Sequence, residues 1–104
     1  MSSEPAAAPV RLVPGSGGRC ALVGALTIAG CAALWDELAT AGALRNTTQA
    51  DLSGVDAADS AGLALLIAWR AERRQAGGDL RFDAVPGRLL ALAQLTGAEA
   101  LLTG

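Results

Sequence analysis

The chain has 104 residues, 52% of them hydrophobic, enough for one domain that buries about two thirds of its unfolded surface without disulfide or metal staples. Ten acidic residues stand against eight basic ones, all arginine, for a net charge of −2; this argues against a broad nucleic-acid footprint. The chain has no lysine, histidine or tyrosine, which excludes a phosphate loop ending in Gly-Lys-Ser/Thr and removes the usual base for a serine nucleophile and the commonest metal ligand.

Residues 1–9 are rich in Ala, Pro and Ser and read as a flexible tail, leaving residues 10–104 as the single domain. Val10 and Leu12 flank Arg11, then Pro14-Gly15-Ser16-Gly17-Gly18 turns the chain, and Leu22, Gly24 and Leu26 alternate again. That is the pattern of an antiparallel hairpin. Cys31, Leu34, Trp35 and Leu38 fall at i, i+3, i+4 and i+7 and predict a first helix that Gly42 can end. A third strand is predicted over residues 48–53, followed by a polar loop over 53–59. A second helix follows over 60–76, stopped by Gly77-Gly78. Leu80, Phe82 and Ala84 alternate with Arg81 and Asp83 as a fourth strand. Pro86 opens a third helix, carried by Leu89, Leu92 and Ala93, that ends at Gly97, with Leu101 and Leu102 in a short tail.

The order predicts an α/β fold: a mixed, mostly parallel sheet of four to five strands with an N-terminal hairpin and three or four helices. The loop over residues 53–59 then lies at the carboxyl end of a central strand, where open α/β sheets place their sites. Asp59 and Ser60 are both good helix N-caps, and the helix they open aims free N–H groups and partial positive charge at whatever approaches. Capping would contribute roughly 1 kcal/mol and would explain a serine there fully, but the balance tilts to docking. The small neighbours Ala57, Ala58, Ala61 and Gly62 leave the backbone open to a partner, which makes this a flat docking edge. Asp51, Asp56 and Asp59 each have a local role as strand-end, turn or cap residue, so no metal is expected.

Trp35 belongs either to the core or, on the flank of its helix, to an interface, and the second is favoured. Trp69 is assigned to the core, its indole N–H in need of a partner. The second helix is apolar almost all round over residues 61–69, more than a sheet-facing stripe requires. Part of it is expected to meet another protein, with help from the first helix. That run falls well short of the ~20 apolar residues that cross a bilayer, so membrane contact is expected only through a partner. Arg70, Arg73 and Arg74 read as a solvated face, a phosphate or lipid-headgroup patch being the alternative. Cys20 and Cys31 match no metal-ligand spacing and read as small core residues of a protein in a reducing, cytoplasmic compartment.

Asp51-Leu52-Ser53, a short loop, Asp59-Ser60-Ala61-Gly62-Leu63, an apolar helix and Gly77-Gly78 together resemble a STAS domain, over nearly the whole chain. Leu34-Trp35-Asp36-Glu37, Gly62-Leu63-Ala64-Leu65-Leu66 and residues 89–95 are most similar to the MlaB branch, the cytoplasmic STAS subunits of the Mla phospholipid-transport ABC complex. The resemblance implies a non-catalytic, cofactor-free subunit that binds the ATPase of an ABC transporter and supports its assembly or activity. It places partner contacts at Trp35, Asp56, Asp59, Ser60, Ala61, Gly62 and Leu63. In STAS antagonists of anti-sigma factors the residue matching Ser60 is phosphorylated by a kinase, whereas the MlaB branch often carries threonine there. Serine therefore keeps open an anti-sigma-factor antagonist working with a serine kinase. Exposed apolar surface would also let the isolated chain form a homodimer.

Overall fold

In the computed structural model, which describes residues 8–103, the hairpin forms as expected: β1 (Arg11–Pro14) runs antiparallel to β2 (Arg19–Leu26), with Leu12 opposite Leu22. Arg19 N–H donates to the Ser16 carbonyl at 3.2 Å and Gly15 N–H to Arg19 at 3.0 Å, and Gly17 and Gly18 take the positive φ that the turn needs. Of the predicted tail, residues 1–7 lie outside the described residues. Ala8 and Pro9 are tied down instead of frayed: the Ala8 carbonyl accepts from Ala25 N–H at 2.8 Å, and Pro9 bridges Ala25. Gly24 makes this approach possible, since a Cβ there would come within 2.7 Å of the Pro9 carbonyl oxygen.

The first helix, α1 (Ile28–Thr40), starts three residues before Cys31 and buries Gly30, Leu34 and Leu38. Gly42 then turns left-handed at φ 74° and opens a short helix not anticipated from the sequence, α2 (Ala43–Asn46). Its Ala43 carbonyl accepts the Trp69 indole N–H at 3.0 Å, so the fully buried Trp69 has the partner it requires. The ring also packs edge-on against Phe82, centroids 6.0 Å apart.

The third strand is much longer than expected. β3 (Gln49–Ala58) absorbs nearly all of the predicted loop and runs parallel to β2. Its buried residues are Ala50, Leu52, Val55 and Ala58, so the step of two becomes a step of three twice. The register shows why: Asp51 to Gly54 faces Ala21 to Val23, and Val55 to Ala57 faces Gly24 to Ala25, one extra residue of β3 each time. Two bulges therefore carry Ser53 and Asp56 outward while the strand continues.

After α3 (Ser60–Gln75), β4 (Arg81–Asp83) adds parallel to β3, and α4 (Gly87–Thr96) and α5 (Glu99–Thr103) complete the order β1-β2-β3-β4. The fold class is as expected, with four strands, but with five helices where three or four were anticipated, since the tail carrying Leu101 and Leu102 coils as α5. Pro86 is the N-cap of α4 and not its first-turn residue, and Gly97 closes that helix at φ 72°. From β2 onward each parallel connection steps one strand in the same direction, and because such crossovers are right-handed the connecting helices fall on one face. Leu12, Leu22, Leu52 and Phe82 are buried under them, while Arg11, Val13, Val23, Asp51 and Arg81 face outward.

The arginine cluster is not a solvated face. Arg70 and Arg73 are only 5% and 8% exposed. Arg70 pairs with Asp79 at 3.1 Å and donates to the carbonyls of Leu101 (3.2 Å) and Ala100 (3.4 Å), latching α5 to α3. Arg73 donates to the Arg45 carbonyl, holding the C-terminal end of α2. Only Arg74 of the three stays on the surface. Because hydrogen bonds from a charged donor are worth about 1.5–3 kcal/mol, Arg70→Met is expected to destabilise the chain by roughly 2 kcal/mol. A lower denaturant midpoint with faster amide exchange in α5 than in β3 is the expected readout.

Candidate docking site at the start of α3

Asp59 organises this region. Its Oδ1 accepts from the N–H groups of Ala61 (3.0 Å) and Gly62 (3.1 Å), capping α3, and its Oδ2 accepts from Ile28 N–H at 3.0 Å, capping α1. One carboxylate thus ties two helix N-termini together, and the Asp59 N–H donates to the Leu26 carbonyl at 3.2 Å. These donors hold the Asp59 pKa below its usual 3.8, the Ile28 N–H contributing most.

Ser60 is therefore not the cap. It is the first residue of α3, exposed, and its hydroxyl makes no hydrogen bond among the described residues. The structural explanation that would have accounted for a serine here belongs to Asp59. Ala61 is half-buried beside it, and Asp56 is exposed at the second bulge of β3.

Two residues assigned to the contact surface are not on it. Gly62 is buried, its Cα pressed against Leu26 so closely that a Cβ would overlap the Leu26 carbonyl oxygen. Leu63 is 4% exposed and belongs to the core. They position the turn and do not present a face to a partner. The same holds for most large apolar residues of the expected ridge: Leu65, Leu66 and Trp69 are sealed inside, Ile67 is half-buried, and over residues 60–71 α3 exposes only Ser60, Ala64, Ala68 and Ala71.

Trp35 is half-buried and packs against the core from α1. It lies seven residues beyond Ile28, which at 1.5 Å per residue is about 10 Å along the helix. The α1 residue that borders the Ser60 turn is Ile28, 76% exposed. Arg88 in the first turn of α4 also reaches the turn: its Nε donates to the Ala58 carbonyl at 2.8 Å and its charge acts on Asp59. Periodicity missed both residues. The available signal for Arg88 was its position, since a cation in the first turn opposes the helix dipole.

Asp51 stands apart, its carboxylate accepting from the Ser53 N–H (2.9 Å) and hydroxyl (3.1 Å). Among the described residues no group of three or more His, Cys, Asp or Glu is placed to hold a metal ion. Cys20 and Cys31 are free and half-buried, and burial pushes both thiols above their ordinary range. The parallel strands follow one another in one direction, so there is no reversal of strand order to open a crevice at their carboxyl ends. The concavities along β4 (Arg70, Asp79, Phe82, Leu102) and beneath the hairpin (Leu12, Cys20, Gly42, Thr47) do not include Ser60, Asp59 or Arg88. Among the described residues no helix is long and apolar enough to cross a membrane.

The turn at the start of α3 thus brings an exposed hydroxyl, an exposed isoleucine and an arginine to one doubly capped junction of a one-sided α/β domain. The chain belongs to the STAS domain family: the family model described as "Mlab, STAS domain" matches residues 14–103. Members of that family are generally non-catalytic. None of the curated proteins matches the chain.

Proposed function

We propose that this chain is the non-catalytic, MlaB-like subunit of an ABC transporter for intermembrane phospholipid transport. It binds the transporter's ATPase through the Ser60 turn and supports assembly or activity of the complex, working in the cytoplasm and reaching the inner membrane only through its partners. The observation that carries the reading is the exposed Ser60 hydroxyl, left without an internal role because Asp59 does the capping. A rigid, small-residue turn lets a partner backbone approach closely, with Ile28 as the adjoining apolar contact. Trp35 extends this surface along α1.

The same unoccupied hydroxyl favours a second reading, an anti-sigma-factor antagonist switched by phosphorylation of Ser60. A phosphate there would gain about 0.3–1 kcal/mol from the start of α3 and meet repulsion from Asp56 and Asp59. Burying it against an apolar partner would cost several kcal/mol. Affinity purification from the chain's own cells separates the two: an ABC ATPase at equal stoichiometry supports the transporter subunit, a serine kinase with anti-sigma activity the antagonist. In calorimetric titration against the captured ATPase, Ser60→Glu is expected to weaken binding at least tenfold. Native affinity for Ser60→Glu would remove Ser60 from the contact.

A further inference from the structure

We infer that the partner presents a carboxylate to Arg88, whose guanidinium forms the charged centre of the docking surface. The inference rests on the reading above that the Ser60 turn is docked by another protein, and it adds the chemistry which that protein must supply.

Arg88 is exposed, yet its orientation is set: Nε is committed to the Ala58 carbonyl at 2.8 Å, the last carbonyl of β3 before the turn. No other hydrogen bond or ion pair to Arg88 is formed among the described residues, which leaves both terminal NH2 groups as free donors. A guanidinium held by one edge with its fork open is arranged for two parallel bonds to a carboxylate, with little side-chain freedom left to lose on binding.

The carboxylate nearest by charge, Asp59, does not take that place. Its two oxygens already accept three backbone N–H bonds that cap α1 and α3. Asp59 moderates the Arg88 charge and is not paired with it.

Among the described residues the one internal hydrogen bond of Arg88, from Nε to the Ala58 carbonyl, uses a single donor of five, and α4 itself gives an arginine no support. Arg88 stands in the first turn of α4, where the helix dipole disfavours a cation; that turn carries no acidic residue and its cap makes no side-chain hydrogen bond. A residue that works against its own helix while aimed at an exposed turn is where a functional demand overrides a local rule. Its anchor, the Ala58 carbonyl, directly precedes Asp59 and the exposed Ser60, and Asp59 in turn holds the N-terminus of exposed Ile28, so the complementary surface is an acidic side chain set beside apolar ones.

The test titrates the full chain, as native protein and as variants, into the purified transporter ATPase by calorimetry, with each variant's melting temperature measured alongside. Arg88→Gln is expected to lose at least thirtyfold in affinity while staying folded at the titration temperature, its melting temperature lowered only by loss of the Ala58 bond. Arg11→Gln, the same charge change on the open face of the sheet, is expected to stay within threefold. Arg88→Glu should regain affinity when met by an ATPase variant with arginine in place of the contacted carboxylate. If Arg88→Gln melts below that temperature, Arg88→Lys decides: a tenfold loss supports the bidentate contact and native affinity overturns it. Binding by Arg88→Gln within threefold of native, or equal losses for Arg88→Gln and Arg11→Gln, overturns the inference while leaving the docking reading intact. Failure of the native chain to bind the ATPase removes both.

Discussion

Gly62→Ala is expected to destabilise the chain by about 2–3 kcal/mol and to lower its melting temperature by roughly 10–20 °C. Helix propensity alone predicts the opposite sign, because Ala is favoured over Gly inside a helix by about 1 kcal/mol. The deciding fact is the contact with β2: a Cβ at Gly62 would overlap the Leu26 carbonyl oxygen and come within 2.8 Å of Leu26 Cγ and 3.1 Å of its carbonyl carbon. A side-chain tip could yield, but a backbone carbonyl at the end of a central strand cannot. Relief requires α3 to lift off the sheet, which strains the Asp59 N–H bond to that same Leu26 carbonyl. The variant should therefore lose partner affinity together with stability, and thermal melts of native and Gly62→Ala chains at neutral pH read the effect directly. A melting temperature equal to or above native would mean that propensity outweighs the overlap and that α3 is not seated as described.

The fold class was legible because most elements have clean periods. Residues 10–26 alternate, α1 and α4 repeat at helical spacing, and glycines mark the ends of both. Residues 53–59 were not, because Ser53, Gly54 and Asp56 look like turn chemistry and the two bulges break the period of two that identifies a strand. α2 spans four residues, too few for any periodic signal. The arginines of α3 were misjudged because burial of charge depends on partners distant in sequence: Asp79 and the α5 carbonyls for Arg70, Arg45 for Arg73. At the candidate site, Asp59 and Ser60 are equally good caps by residue type. Only the backbone decides that Asp59 stands at the cap and Ser60 one step inside. Gly62 shares the motif with Ser60 but, two residues on, lies on the opposite side of the helix, while Leu63, nearly a full turn on, is buried by the way α3 seats on the core. Ile28 and Arg88 come from other elements, and tertiary packing alone brings them to the turn.

Asp59→Ala is expected to cost roughly 2 kcal/mol at neutral pH, about 1 kcal/mol for each helix N-terminus left uncapped. The graded variant separates the two contributions. Asp59→Asn keeps one carbonyl-type oxygen that can cap α3 but places an amide where Oδ2 accepts from Ile28 N–H, so it is expected to lose about half as much. The pH dependence has a fixed sign. The folded-state pKa lies below the usual 3.8, so the unfolded chain binds the proton more readily, and Asp59's ionic contribution is complete above that value and lost as pH falls through the lower folded one. Asp51 and Asp79 are also held low, so the variants keep an acid limb, but a shallower one. Denaturant midpoints at pH 7 and at a series of values below 3.8 should show native protein and Asp59→Asn well separated at the first and drawing together as the pH falls. An Asp59→Ala chain as stable as native at pH 7, or a gap between native and Asp59→Asn that persists unchanged into acid, would show that the two helices are not joined through this carboxylate.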